Sequence, residues 1–455
     1  MSMRISGLLL YLAAFLAYPL LPATRDSGLI FTIVCGLHVL LGLALLPALS
    51  GGLRRRSLLL LALLFVPRLL CLPMHPWLSD DAWRYLWDGG LVLDETNVYL
   101  YAPADSALEH LRGEVYDHVD YRDVKTIYPP LAQVGFAAAV LMAQPFGGGA
   151  FAQFVCLKIL LVGSEIFALL LLLRLLRHRR AAHAPPSVLG LYLLSPLPVI
   201  EFAGQGHLDA WLLPPLALLI GIVCAARALK HNDKQKHAFK AGAVIGAAAL
   251  VKVLPVVFTV LWWRRLRGVK QKVAMLAGCL ICLLLLSAPF FSDVQALVNL
   301  RDTVAYYSNV LEFNGVPLYL LKAGLDLVEA PNYWEWAPNV LSALRMLVVL
   351  VLLLRLNVRG RQEMLRAMFW VLCAALLISS KVHTWYFAPL LLLNVLIGFR
   401  WLPMFAGLSM LTYAMYAVSP PAEAYLLEFI VWGAGLAVML WELRLNRRSQ
   451  PQLST

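Results

Sequence analysis

Residues 57–90 read SLLLLALLFVPRLLCLPMHPWLSDDAWRYLWDGG. The first half, 57–73, is an apolar run about as long as a bilayer-spanning helix needs, roughly 17–25 residues. The second half opens a hydrophilic segment crowded with acids and aromatic rings. Working outward, apolar runs recur near 5–22, 27–50, 151–176, 186–203, 209–228, 271–291, 339–356, 367–382, 385–398, 401–418 and 425–443. Across the 455 residues, 61% are hydrophobic and 14% charged. A soluble domain is nearer half apolar and a quarter charged, so the composition excludes a cytosolic enzyme, a nucleic-acid binder and a disordered chain. The expectation is an all-α polytopic membrane protein with about 12–14 membrane helices, some short or re-entrant.

The run from Ile5 to Pro22 follows Arg4 and has the look of a signal peptide. Another long apolar run follows at once, which favours an uncleaved first span. The net charge of +12 is carried mostly in short links between runs. Arg54 to Arg56, Arg177 to Arg180, Lys230 to Lys240, Arg264 to Lys272, Arg355 to Arg366 and Arg444 to Arg448 should therefore face the cytoplasm. Satisfying all of them requires 130–176 to cross only once in net terms, and 241–263 to enter and leave on the same side. Lys252 and Pro255 interrupt the latter, so half-length helices are expected there. Two long hydrophilic segments, 74–128 and 292–338, then fall outside, and 17 of the 26 acidic residues lie in them. Seven cysteines are scattered. The close pair Cys279 and Cys282 sits in an apolar run, where a thiol is hard to ionise, so no redox motif is read there.

Chemistry-bearing residues concentrate in the first long loop. A helix starting after Ser79, a good N-cap, would place Asp81, Arg84, Tyr85 and Asp88 at i, i+3, i+4 and i+7 on one face. Asp80 would point about 100° away from Asp81. An amphipathic interfacial helix with Trp83 and Trp87 as membrane-belt aromatics is the competing reading, and it leaves the paired acids unexplained. Tyr99, Lys125 and Tyr128 follow in the same loop; tyrosines suit a sugar's amphipathic face and are also ordinary interfacial anchors. Further on, His207 and Asp209 lie in a Gly-Gln-Gly-His-Leu-Asp turn at the end of a span. Lys252 sits inside an apolar run, where a cation needs a polar cavity or an anion unless it snorkels. His383, Trp385 and Tyr386 stand at another boundary, and Glu312 and Asn314 in the second loop are possible acceptor contacts. There is no His-Glu-x-x-His, Walker A or Gly-x-Ser-x-Gly motif. A zinc protease, a nucleotide hydrolase and a serine hydrolase thus lack their chemistry. Acids on one loop with cations at membrane depth suit a lipid-borne phosphate substrate.

At Ser79-Asp80-Asp81-Ala82-Trp83-Arg84-Tyr85-Leu86-Trp87-Asp88-Gly89, then Asn97 to Pro103 and Thr126 to Gln133, the chain resembles the GT-C superfamily of integral-membrane glycosyltransferases. It is most similar to bacterial polyprenyl-phosphate-mannose-dependent mannosyltransferases. Gly206 to Asp209, Leu250 to Pro255 and His383 to Tyr386 extend the resemblance, which runs from about residue 74 to 390. It implies one GT-C-like domain over 1–455 in the bacterial inner membrane. It also implies an inverting transfer of a hexose from a polyprenyl-phosphate sugar to a lipid or glycan acceptor on the outer face. Asp81, or Asp80 in its stead, would be the general base, and Arg84, His207, Lys252 and His383 would hold the departing phosphate. A divalent metal on the two aspartates is compatible with this scheme but not required by it. The competing classes are a lipid-linked-sugar flippase or transporter, which would show inverted repeats, and a membrane acyltransferase with a His-centred nucleophile.

Overall fold

The computed structural model describes residues 2–21, 28–45, 57–177, 186–225, 233–310, 312–416 and 421–448. The basic residues Arg54 to Arg56, and positions 178–180 and 230–232, lie outside them. The described chain is all-helical, as the composition demands, with one isolated bridge between Phe313 and Lys381. Among the described residues, five helices are long and apolar enough to cross a membrane: Ala150–Leu176, Leu208–Ala225, Val269–Ser287, Tyr333–Arg355 and Tyr425–Leu445. Shorter apolar helices cover Ser6–Leu20, Ile30–Gly42, Ala62–Cys71 and Pro130–Phe146.

Some expected runs are not single helices. The run 186–203 is a helix Pro186–Leu193, a break at Ser195 ahead of Pro196 and Pro198, and a π-helical turn Val199–Gly204. Proline removes the backbone donor that would have continued the helix. The second hydrophilic segment is itself mostly helical, Val294–Val310 and Val316–Leu327. The helix expected from 339 starts at Tyr333, after Asn332 in the left-handed region at φ 48°.

Two places decide the chain path. Helix Asp233–Val251 packs on Val269–Ser287 through glycines. A Cβ on Gly242 would fall 1.8 Å from the Met275 carbonyl oxygen, and one on Gly278 would fall 2.2 Å from that of Phe239. Gly242 lies against Met275 and Cys279, and Gly246, one turn on, against Cys279 and Cys282. From 242 to 246 the contacts thus advance along both helices, and the two run parallel at a close backbone approach of the kind small residues permit in membranes. The chain must therefore return between 252 and 268. It does so through a 3-10 turn Leu254–Val257 and the short helix Phe258–Arg265, whose Arg264 and Arg265 donate to carbonyls of Leu356 and Val358. At the other place, the Ala150 N–H donates to Glu114 while Gln133 donates to Thr126, so both ends of helix Pro130–Ala143 stay beside the first hydrophilic segment. Ala150–Arg177, with 28 residues and about 42 Å of rise, makes the crossing alone.

Buried charges hold this frame. Arg68 grips Glu165 with two bonds of 2.7 and 2.5 Å, and Tyr192 donates to the same carboxylate at 2.9 Å, tying three helices where no water competes. The fully buried Lys158 donates to the carbonyls of Leu72 and Met74, capping helix Ser57–Cys71 where the first hydrophilic segment begins.

Candidate active site

The loop helix runs Asp81–Leu93. Asp80 flanks it, so the cap falls one residue later than Ser79; Ser79 Oγ still accepts the Asp81 N–H at 3.3 Å, and the Asp80 carbonyl accepts that of Trp83. The i, i+3, i+4, i+7 face forms as expected. Arg84 Nε donates to Asp88 at 2.9 Å, and Tyr85 OH donates to Asp81 at 3.4 Å. Trp83 and Trp87 are 8% and 5% exposed, against His118 and Tyr116, so they pack on protein and are not a membrane belt.

Helix Pro130–Ala143 braces this face. A Cβ on Gly89 would lie 2.5 Å from the Phe136 backbone, which only glycine allows, and the Tyr85 ring stacks on Phe136 at 4.5 Å. Gln133 donates to Asp88, Thr126 and the Tyr128 carbonyl. Tyr99 supports the same carbonyl at 2.7 Å and is itself fully buried, so it is a buttress behind the site. Tyr128 OH reaches Asp81 from the other side at 3.4 Å. Burial pushes the Asp81 carboxyl up to about 6, against the pull of Lys252 and the Tyr128 and Tyr85 hydroxyls. Arg84 is committed locally, its Nη1 donating to the Val124 carbonyl at 2.9 Å, and Lys125 next to it is half-buried.

Four other segments converge here. His207 Nδ1 lies 3.9 Å from Asp81 Oδ2, and Nε2 lies 3.4 Å from Glu201 Oε2. The His207 ring stacks on Trp385 at 3.5 Å; His383 also stacks on Trp385, at 4.3 Å, and on Phe313 at 4.7 Å. Lys252 donates to both oxygens of Asp209, at 2.9 and 3.2 Å, and lies 3.6 Å over the Tyr386 ring. Its position at the helix break turns it inward, so it does not snorkel. Lys381, bonded to the Tyr307 carbonyl, is within electrostatic reach of Asp81 and Lys252.

Asp81, Tyr85, Tyr128, His207, Asp209, Lys252, His383, Trp385 and Tyr386 are thus brought together. Glu312 is not: it pairs with Lys322 at 2.5 Å. Asn314, fully buried at φ 50°, bonds to the Val382 carbonyl, Glu428 and Trp432, which fixes the Phe313–Lys381 bridge. Sequence reasoning passed over Glu201, Thr384, Tyr413 and Lys381. Among the described residues no group of three or more His, Cys, Asp or Glu side chains is arranged to hold a metal ion.

An all-helical membrane frame gathers carboxylates, imidazoles and ammonium groups from four separate segments, around 81, 201–209, 252 and 381–383, as an integral-membrane enzyme does. The model of the alpha-(1->6)-mannopyranosyltransferase N-terminal domain family, MptA_B, matches residues 18–265, more than half of the chain, and the chain belongs to that family. It is a glycosyltransferase of the mannosyltransferase type. No curated protein and no solved structure matches it. The matched part holds Asp81, His207, Asp209 and Lys252, while His383, Trp385 and Tyr386 come from the remainder of the chain.

Proposed function

We propose that the protein transfers mannose, with inversion, from a polyprenyl monophosphate donor to a hydroxyl of a lipid or glycan acceptor on the extracytoplasmic face of a bacterial inner membrane. The observation that carries this is Asp81: its side chain is 38% exposed, yet it is oriented by two tyrosine hydroxyls. A carboxylate so held can accept a proton from an incoming hydroxyl. The acceptor oxygen forms the new bond to C1, its proton passes to Asp81, and the C1–O electron pair leaves with the lipid phosphate. Lys252, 32% exposed beside it, supplies fixed positive charge for that phosphate. Of the four groups expected to hold the phosphate, Arg84 is instead occupied in ordering the loop, and the two histidines stand in the aromatic stack. Sidedness rests on the basic links, and the lipid donor on the absence of a nucleotide-binding motif. Sequence resemblance and family agree on mannose, and the family name supports an α-(1→6) linkage.

The test is transfer by the purified protein in lipid vesicles. Labelled mannose should move from polyprenyl-phosphate mannose to an acceptor glycan. Equal transfer from GDP-mannose, with no lipid carrier present, would overturn the donor assignment.

A further inference from the structure

His207 is fully buried, and among the described residues neither ring nitrogen makes a hydrogen bond. A buried imidazole with both nitrogens unsatisfied is costly, since each polar group has lost its water. The surroundings explain why it is kept there. Nδ1 faces Asp81 at 3.9 Å and Nε2 faces Glu201 at 3.4 Å, so the ring lies between two carboxylates. Local backbone enforces this. The π-helical turn Val199–Gly204 carries Glu201, and the Glu201 carbonyl accepts the His207 N–H at 2.9 Å. Gly206 between them has φ 82°, and a Cβ there would sit 2.9 Å from the Phe154 ring, so glycine is needed for the chain to double back. Stacking on Trp385 at 3.5 Å then fixes the plane of the imidazole.

Glu201 is held as firmly. It is fully buried, accepting from Thr384 Oγ1 on Oε1 and from Tyr413 OH on both oxygens, at 2.9 and 3.2 Å, while Oε2 also faces His207. Thr384 and Tyr413 belong to the part of the chain beyond the family match, so both halves build this arrangement.

We propose that Asp81, His207 and Glu201 form a proton relay, which rests on the reading of Asp81 as the base. When Asp81 takes the acceptor proton, its carboxylic O–H is delivered to His207 Nδ1, and the proton on Nε2 passes to Glu201. Each transfer conserves charge along the line, with Glu201 ionised at the start: one proton enters at Asp81 and one is held at Glu201, restoring the Asp81 carboxylate. Once the product has left, the reverse path returns that proton through His207 to the half-exposed Asp81 and so to water. The 3.9 Å step is long for a hydrogen bond, as such contacts often are before substrate draws a site together. His207 and Glu201 are positioning and relay groups and need touch no substrate.

The decisive variant is Glu201→Gln, whose amide oxygen still accepts from Thr384 and Tyr413 but which takes no proton. Single-turnover transfer should slow by about tenfold or more with donor KM changed less than about twofold. Its dependence on deuterium content should change from curved, with two or more protons in flight, to linear. Thr384→Val loses one bond to Glu201 and should lower thermal stability while the dependence stays curved, which separates relay from scaffold. If Asp81→Asn retains turnover, the base assignment fails and the relay with it. If Asp81→Asn is inactive while Glu201→Gln transfers at the wild-type rate with a curved dependence, the relay alone is wrong. Should Glu201→Gln not fold, His207→Asn takes its place under the same two criteria.

Discussion

Lys252 and Asp209 form a two-pronged ion pair, 2.9 and 3.2 Å, that joins the break after one helix to the first turn of another. Asp209 is 3% exposed and Lys252 32%, so the carboxylate is sealed while the ammonium keeps open surface within electrostatic reach of Asp81. That asymmetry fits a cation kept ready for a second anion. Lys252→Met should weaken donor binding or slow transfer at least about tenfold, the scale of one charge-assisted contact of about 1.4 kcal/mol. It also strands a buried carboxylate, which is destabilising in its own right. The double variant Lys252→Met, Asp209→Asn should therefore melt higher than the single one and remain as slow. Wild-type donor kinetics in the folded double variant would show that the pair is only a scaffold.

Parallel packing of Asp233–Val251 on Val269–Ser287 places Gln235 and Lys270 at one end of this helix pair and Lys252 at the other. Combined with the basic links, this predicts that a cysteine at 235 is shielded from an impermeant reagent in intact cells and one at Lys125 is labelled, once the native cysteines are removed. Labelling at 235 from outside would reverse the orientation of this half. Gly242→Leu should disrupt the same helix pair, because its side chain has to displace the Met275 backbone.

How much of this was legible depends on whether the signal was local. The Asp81, Arg84, Tyr85 and Asp88 face follows from helical spacing alone, and Lys252 stands out because a lone cation in an apolar run needs a partner. The same argument applies to Glu201 inside 186–203, and to Arg68 and Glu165 inside theirs; the signal was there, and it went unread. That Arg68 pairs with Glu165, 97 residues away, or that Thr384 and Tyr413 meet Glu201, is decided by tertiary packing and leaves no trace in spacing. Asn314 and Glu312 show the converse. Polar residues in a loop looked like acceptor contacts, but one closes a backbone bridge and the other pairs with a neighbouring lysine.

The pH dependence of transfer follows from Asp81. Burial raises its carboxyl to about 6, and the base form is the deprotonated one. The single-turnover rate should therefore fall about tenfold per pH unit below about 6 and level off above about 7. Stability runs the opposite way. An unfolded aspartate titrates near about 3.9, so the folded state holds this proton more tightly. The stabilisation from that proton is complete below the unfolded value and is lost as pH rises through about 6. A rate profile without an inflection between about pH 5 and 7 would remove Asp81 from the role of base.

Asp81 also gives the sharpest substitution. Its two oxygens accept from Tyr85 and Tyr128, so Asp81→Asn can keep one of those contacts through its amide oxygen and preserve the shape of the loop helix. What it loses is the ability to take a proton, and general-base loss is worth roughly 10² or more in rate. Turnover should fall by that factor while donor KM stays near wild type, since the proposal assigns the phosphate end of the donor to Lys252. Asp80 precedes the helix, and its carbonyl supports the first turn. Asp80→Asn should therefore cost less than about tenfold, short of the loss expected for a base. If Asp80→Asn instead shows the hundredfold loss and Asp81→Asn does not, the two aspartates exchange roles. If both retain more than about a tenth of wild-type turnover, the base lies elsewhere, and Asp209, the carboxylate paired with Lys252, is the next to replace.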